Sequence, residues 1–174
     1  MGNNFILIIF ILIFTSGFAY AEEVKFILHD KCINELYVPA SAYFMYDEIY
    51  VIRDSRGIIL RFKLEEPEAE LKALSERMLK NINRVESFLA KIKNLVIIEV
   101  HVGELSSGEL KKWEISAVIA GKLEQAVCDS DTALKERIYS VGYGEFLPAK
   151  NTPNNGGNFL NRVDIIILCN ISGE

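Results

Sequence analysis

With 174 residues, half of them hydrophobic and a quarter charged, the chain has the composition of one packed domain plus a targeting segment, not of a disordered protein. Nineteen Lys and Arg against 24 Asp and Glu leave a net charge of -5, so there is no basic footprint for nucleic acid and no electrostatic attraction to an anionic membrane. Three cysteines without a C-x-x-C and only two histidines give no metal-ligand spacing, so neither a metal nor a cofactor is expected.

The first predicted element is a signal peptide over residues 1–21. Phe5 to Phe14 is a short apolar run, and Ala19-Tyr20-Ala21 ends it with small residues at the -3 and -1 positions, placing cleavage before Glu22. The run falls short of the ~20 apolar residues of a transmembrane helix. Because Met1 to Asn4 carry no Lys or Arg, the alternative is an uncleaved anchor, which would make this segment the chain's membrane contact. Export to the periplasm or cell envelope is the expectation. In an oxidising compartment the odd set Cys32, Cys128 and Cys169 needs a reading. Cys128 and Cys169 both sit at ends of regular elements and are the pair expected to bond; the alternative is that all three are small buried hydrophobes.

Residues 22–48 read as a leader of uncertain structure. Val24 to Leu28 has the character of a short strand, and Tyr37 to Tyr46 is aromatic-rich and contains Pro39, so it is expected to be irregular. Ile49 to Ile52 and Ile58 to Phe62 are two β runs around the turn Asp54-Ser55-Arg56-Gly57. From Pro67, the spacing of Leu71, Leu74, Met78, Ile82, Val85, Leu89 and Ile92 predicts one helical core face. Pro67 suits its first turn, and Glu66, Glu68 and Glu70 suit its positive end. Leu95 to Val102 is an apolar strand. A second helix is predicted from Glu109 to Val127, with Leu110, Trp113, Ala117, Ala120, Leu123 and Val127 along one side. Arg137 to Val141 and Arg162 to Cys169 are the closing strands. Strands alternating with helices of this length imply an α/β fold, a mixed sheet with two main helices on one face.

The last two strands carry the most specific pattern. Val141-Gly142-Tyr143-Gly144-Glu145-Phe146-Leu147-Pro148 leads into Asn151-Thr152, and the chain re-enters at Asn161-Arg162-Val163-Asp164-Ile165. Two glycines around an aromatic, then a proline, demand a tight turn after a strand. With the β-α-β-α-β-β order over residues 49–172, this resembles the OmpA-like, MotB-type peptidoglycan-associating domain, in which G-x-G-E-x-x-P, N-x-T and N-R-x-V-[DE]-I recur. The last two segments are each one residue shorter here, and Phe62-Lys63-Leu64-Glu65 lacks the family's L-F-x-x-G feature.

The resemblance implies non-covalent binding of the peptide stem of peptidoglycan. In the family an Asp within G-H-T-D holds the ammonium of diaminopimelate, and an Arg within L-S-x-x-R-A holds its carboxylate, a pairing that can be bidentate. Ile98 to Gly103 lies over the first motif with His101 kept, Gly103 in the Asp place and Glu104 one residue on. Ile115 to Ala120 lies over the second with Ile119 in the Arg place. A carboxylate left without its partner costs about 1–3 kcal/mol, roughly a ten- to hundredfold weakening.

Glu104, Ser106, Ser107, Asn151, Asn161 and Arg162 remain candidate ligand contacts. Each has a structural alternative: Arg162 paired with a sheet carboxylate, Asn151 bonded to its own turn, Glu104 a solvated loop charge. His101 reads as a sheet-face histidine. Ser106, Ser107 and His101 lack an accompanying Asp or nucleophile elbow, so no enzyme is expected. The expected function is an exported envelope protein docking on peptidoglycan with weakened contacts. The alternative is a non-binding scaffold subunit of an envelope complex, such as a secretion apparatus or motor, acting through protein–protein contacts.

Overall fold

The computed structural model describes residues 29–106, 111–129, 132–146 and 160–169. The signal segment, the strand expected at Val24 to Leu28, and the candidate residues Ser107 and Asn151 lie outside them.

A helix, α1, covers residues 29–43. Leu36, Ala40 and Phe44 are buried at intervals of four and join the main core, so core packing begins before residue 49. The segment expected to be irregular is therefore helical as far as residue 43, with Pro39 on the exposed side. Burial and the Tyr43–Phe44–Phe88 ring cluster outweigh the proline's local cost.

The strands β1 (Tyr50–Asp54) and β2 (Gly57–Lys63) form the expected hairpin, with Asp54 facing Gly57 across the turn. The single helix expected after Pro67 is two: α2 (Pro67–Glu70) and α3 (Glu76–Leu89). Ser75 explains the break. Its hydroxyl accepts from the Met78 N–H at 3.2 Å as the cap of α3, while its own N–H and hydroxyl donate to the buried Glu70 carboxylate. The Lys122 ammonium donates to the carbonyls of Glu70, Leu71 and Lys72 around the end of α2.

Then come β3 (Val96–His101), α4 (Lys112–Cys128), the short α5 (Thr132–Lys135), β4 (Ile138–Gly144) and β5 (Arg162–Leu168). Among the described residues they complete a five-stranded sheet of order β1-β2-β5-β3-β4. β3 and β4 are parallel and joined by the α4 crossover, whereas β5 runs antiparallel to both β2 and β3. The fold is the expected α/β arrangement with a mixed sheet. Ile58, Leu60, Phe62, Val96, Ile98, Val100, Val163, Ile165 and Ile167 supply the sheet side of the core, opposite Met78, Ile82, Val85 and Leu89 of α3. From α4 the core takes Ile115, Ile119, Ala120, Leu123 and Val127, while Trp113 and Ala117, expected inside, are exposed. Among the described residues no helix is long and apolar enough to cross a membrane.

The disulfide joins Cys32 to Cys169, Cα atoms 5.9 Å apart, and not Cys128 to Cys169 as expected. Cys128 ends α4, whereas Cys169 follows β5 beside the β1–β2 turn, its N–H donating to the Arg56 carbonyl at 2.8 Å. The early part of α1 is what reaches that turn, and with α1 unrecognised Cys32 had no visible place. The bond closes a span of 137 residues, so Cys32→Ser is expected to lower stability by about 2–5 kcal/mol. Urea unfolding checks this; equal midpoints with and without reductant would contradict it.

Candidate functional site

The loop after β3, the first turns of α4, the end of β4 and the start of β5 meet at one end of the sheet, where His101 faces both Gly144 and Arg162 in register. The loop is held from three sides. Val102 N–H donates to the Gly144 carbonyl at 2.9 Å, and Ser106 N–H donates to the Glu68 carboxylate at 2.6 Å. Asn161 holds the middle: its Oδ1 accepts from Gly103 and Glu104 N–H, both at 2.9 Å, and its Nδ2 donates to the Glu104 carbonyl at 2.8 Å. Its backbone carbonyl also accepts from Leu64 N–H. The amide group of Asn161 is thus committed to the loop backbone.

The glycines of the closing motif serve packing. A Cβ on Gly142 would lie 2.5 Å from the Ala117 Cα and nearer still to Ala117 N and the Ser116 carbonyl carbon, so α4 rests directly on β4 there. Gly144 has φ +54°, and its N–H donates to Ser116 Oγ at 2.9 Å. That hydroxyl in turn donates to the Trp113 carbonyl, tying the first turn of α4 to the strand end.

The residues singled out in the sequence separate within this frame. Glu104 and Ser106 are exposed on the loop, and Gly103 abuts Leu160, with a Cβ there 3.1 Å from that side chain. Ile119 is 0% exposed and lies within the core. Arg162 is buried, its Nε donating to Asp164 Oδ2 at 3.0 Å. Burial pushes its guanidinium pKa down, and the Asp164 carboxylate opposes that. The structure brings Gly103, Glu104 and Asn161 together, while Ile119 is part of the hydrophobic core.

Sequence reasoning missed a charged cluster on the second face of the sheet. Arg61 grips Asp164 with Nε and Nη2 at 2.6 and 2.9 Å, and Arg56 Nη1 donates to Glu99 at 2.8 Å. His101 stacks on Tyr143, ring centroids 5.3 Å apart, and its Nε2 lies 3.6 Å from Glu99 and 3.7 Å from Asp164. Arg61, Glu99, His101, Arg162 and Asp164 are all buried. Their signal was the strand alternation: Asp164 is in register with both Arg61 and Glu99.

Glu99, His101 and Asp164 each bring one ligand-type atom within 4.8 Å of the others. Both Asp164 oxygens, however, already accept from arginines, and three guanidinium groups outnumber two carboxylates here. Added positive charge would be repelled, so the cluster is an ion-pair network rather than a cation site. His101 has no hydrogen-bonded nucleophile.

No protein-family model matches the sequence, and no curated protein matches it. Solved structures do. The cell wall anchor of the T6SS from Pseudomonas aeruginosa aligns over 74% of this chain and 95% of its own, with TM-score 0.59 and 13% identity. A putative MotB-like protein from Desulfovibrio vulgaris aligns over 79% and 93%, with TM-score 0.60 and 19% identity. An outer membrane protein from Borrelia burgdorferi B31 is 26% identical, over 69% and 96%, with TM-score 0.52.

Proposed function

We propose that this chain, a divergent domain of OmpA-like fold, is a non-catalytic component of a cell-envelope assembly that works through protein contacts and does not hold peptidoglycan by the diaminopimelate charge pair. The observation that carries the reading is Ile119. In the place of the family arginine it is an apolar side chain with no exposed surface, so it offers no donor to a stem-peptide carboxylate. Arg162, the nearest alternative cation in sequence terms, is engaged by Asp164, and the Asn161 amide is used inside the loop.

The envelope half of the proposal is supported by the neighbours, whose names describe a cell wall anchor, a MotB-like protein and an outer membrane protein. It is also supported by the Cys32–Cys169 disulfide, which persists in an oxidising compartment, and by the signal-type sequence at residues 1–21. Periplasmic exposure and protein partners within an envelope machine follow from that reading.

A second reading, docking on peptidoglycan through altered contacts, is favoured by one feature: Glu104 and Ser106 are exposed at the end of the sheet where the family's acidic anchor belongs. Sedimentation with purified sacculi separates the two. The purified protein is expected to pellet no more than a control protein. Pelleting that soluble stem peptide competes away would replace the first reading with the second.

A further inference from the structure

Two buried polar side chains line one cleft with part of their bonding capacity unused. The cleft, about 210 Å³, lies between the end of β2, α2 and the first turns of α3. Glu70 and Asn81 line it and are 5% and 7% exposed. The Glu70 carboxylate accepts from the Ser75 N–H and hydroxyl, yet no cation among the described residues pairs with it. Lys122 donates to the Glu70 carbonyl instead. The Asn81 amide carries two N–H donors and a carbonyl acceptor, and among the described residues it makes no hydrogen bond. Groups so far removed from water ordinarily have partners.

We infer that this cleft receives a lysine side chain of a protein partner, its ammonium held by the Glu70 carboxylate and the Asn81 carbonyl oxygen, its methylenes laid on Ala69 and Met78. The inference rests on the reading of the chain as one that works through protein contacts. An ammonium has three N–H donors and no acceptor, so it suits a carboxylate beside an amide oxygen. Both Glu70 oxygens already accept one bond from Ser75, so a compact ammonium fits better than a guanidinium fork, which needs two free oxygens side by side. The rim points the same way. Lys63 and Arg77 both pair with Glu65, and Arg77 also pairs with Glu48. Glu66, like Glu70, is left without a cation among the described residues. An incoming positive charge thus meets surplus negative charge. Diaminopimelate fits less well, because its ammonium shares a carbon with a carboxylate that Glu65 and Glu66 would repel.

The test is an NMR titration of the oxidised chain, read at the Asn81 side-chain N–H signals and the Met78 methyl. The probes are acetyl-lysine methylamide, acetyl-norleucine methylamide, which keeps the stem and lacks the ammonium, and diaminopimelate itself. The lysine probe is expected to shift both signals saturably with a millimolar midpoint, and the norleucine probe to leave them unmoved. Glu70→Gln and Asn81→Leu, both read at Met78, should each weaken the lysine probe about tenfold, the loss of one bond to a charged group. No saturation by the lysine probe, equal shifts from norleucine, or an unchanged midpoint in either variant would overturn the lysine site. Each of these would leave the protein-contact reading standing, since sedimentation with sacculi tests that separately. A diaminopimelate midpoint tighter than that of the lysine probe would overturn both.

Discussion

Gly142→Ala is expected to destabilise the domain by about 3 kcal/mol or more, although it adds one methyl group. The added carbon would meet Ser116 and Ala117 backbone atoms of α4, none of which can rotate away as a side-chain tip would. Relief requires α4 to lift off β4, which opens the packing of Ile115 and Ile119 and stretches the bond from Gly144 N–H to Ser116 Oγ. Gly121, on the exposed side of the same helix, is the natural control, because a Cβ there would have nothing within 4 Å of it. Gly121→Ala is expected to be neutral or to stabilise by up to about 1 kcal/mol, the helix-propensity difference. Urea unfolding of both variants measures the contrast, and similar small effects from the two would remove the role given to the G-Y-G motif.

Asp164→Ala is the second large effect. The carboxylate accepts two bonds from Arg61 and one from Arg162, all three side chains being nearly sealed from solvent. Its removal leaves two guanidinium groups buried together without their counter-charge, an expected loss of about 3–5 kcal/mol. Most of that figure reflects the stranded charges and not the net worth of the ion pair. Arg61→Met in the Asp164→Ala background is therefore expected to recover part of the loss, since it withdraws one stranded charge and fills the space with apolar atoms. A single-mutant cost below about 1 kcal/mol, or a double mutant worse than the single, would mean that the cluster does not hold the second face of the sheet.

Much of the sheet was legible because a strand's side chains alternate between faces and because β3 and β5 are rich in β-branched residues. The same rule held the key to the charged cluster. Arg162 and Asp164 are two apart on one strand and so share a face, yet the sequence left open whether Arg162 pairs or binds ligand. The register with Arg61 and Glu99, which only the folded sheet supplies, decides for pairing. The helical stretches after Pro67 and before Cys128 were legible as existing but not in detail, and α1 was not legible at all. An apolar stripe continues across the break at residues 71–75, because Leu71 and Leu74 remain in core contact while Ser75 restarts the helix. Trp113 looked like core by hydrophobicity, but α4 sits so close to β4 at Gly142 that the strand-facing positions go to short and aliphatic side chains.

At the candidate site the sequence was most informative where it departed from the pattern it resembles. An isoleucine cannot pair with a carboxylate in any register, and its full burial adds that the position has been absorbed into the core. The role of Asn161 was not readable, because it depends on the loop from Gly103 to Glu104 returning beside the start of β5.

The most direct measurement is a calorimetric titration of the oxidised protein with a soluble, diaminopimelate-containing stem peptide. The expected result is no saturable heat up to millimolar peptide. Saturable binding that Glu104→Gln weakens would contradict the central claim, since it would show a working ligand pocket at this end of the sheet without the family arginine.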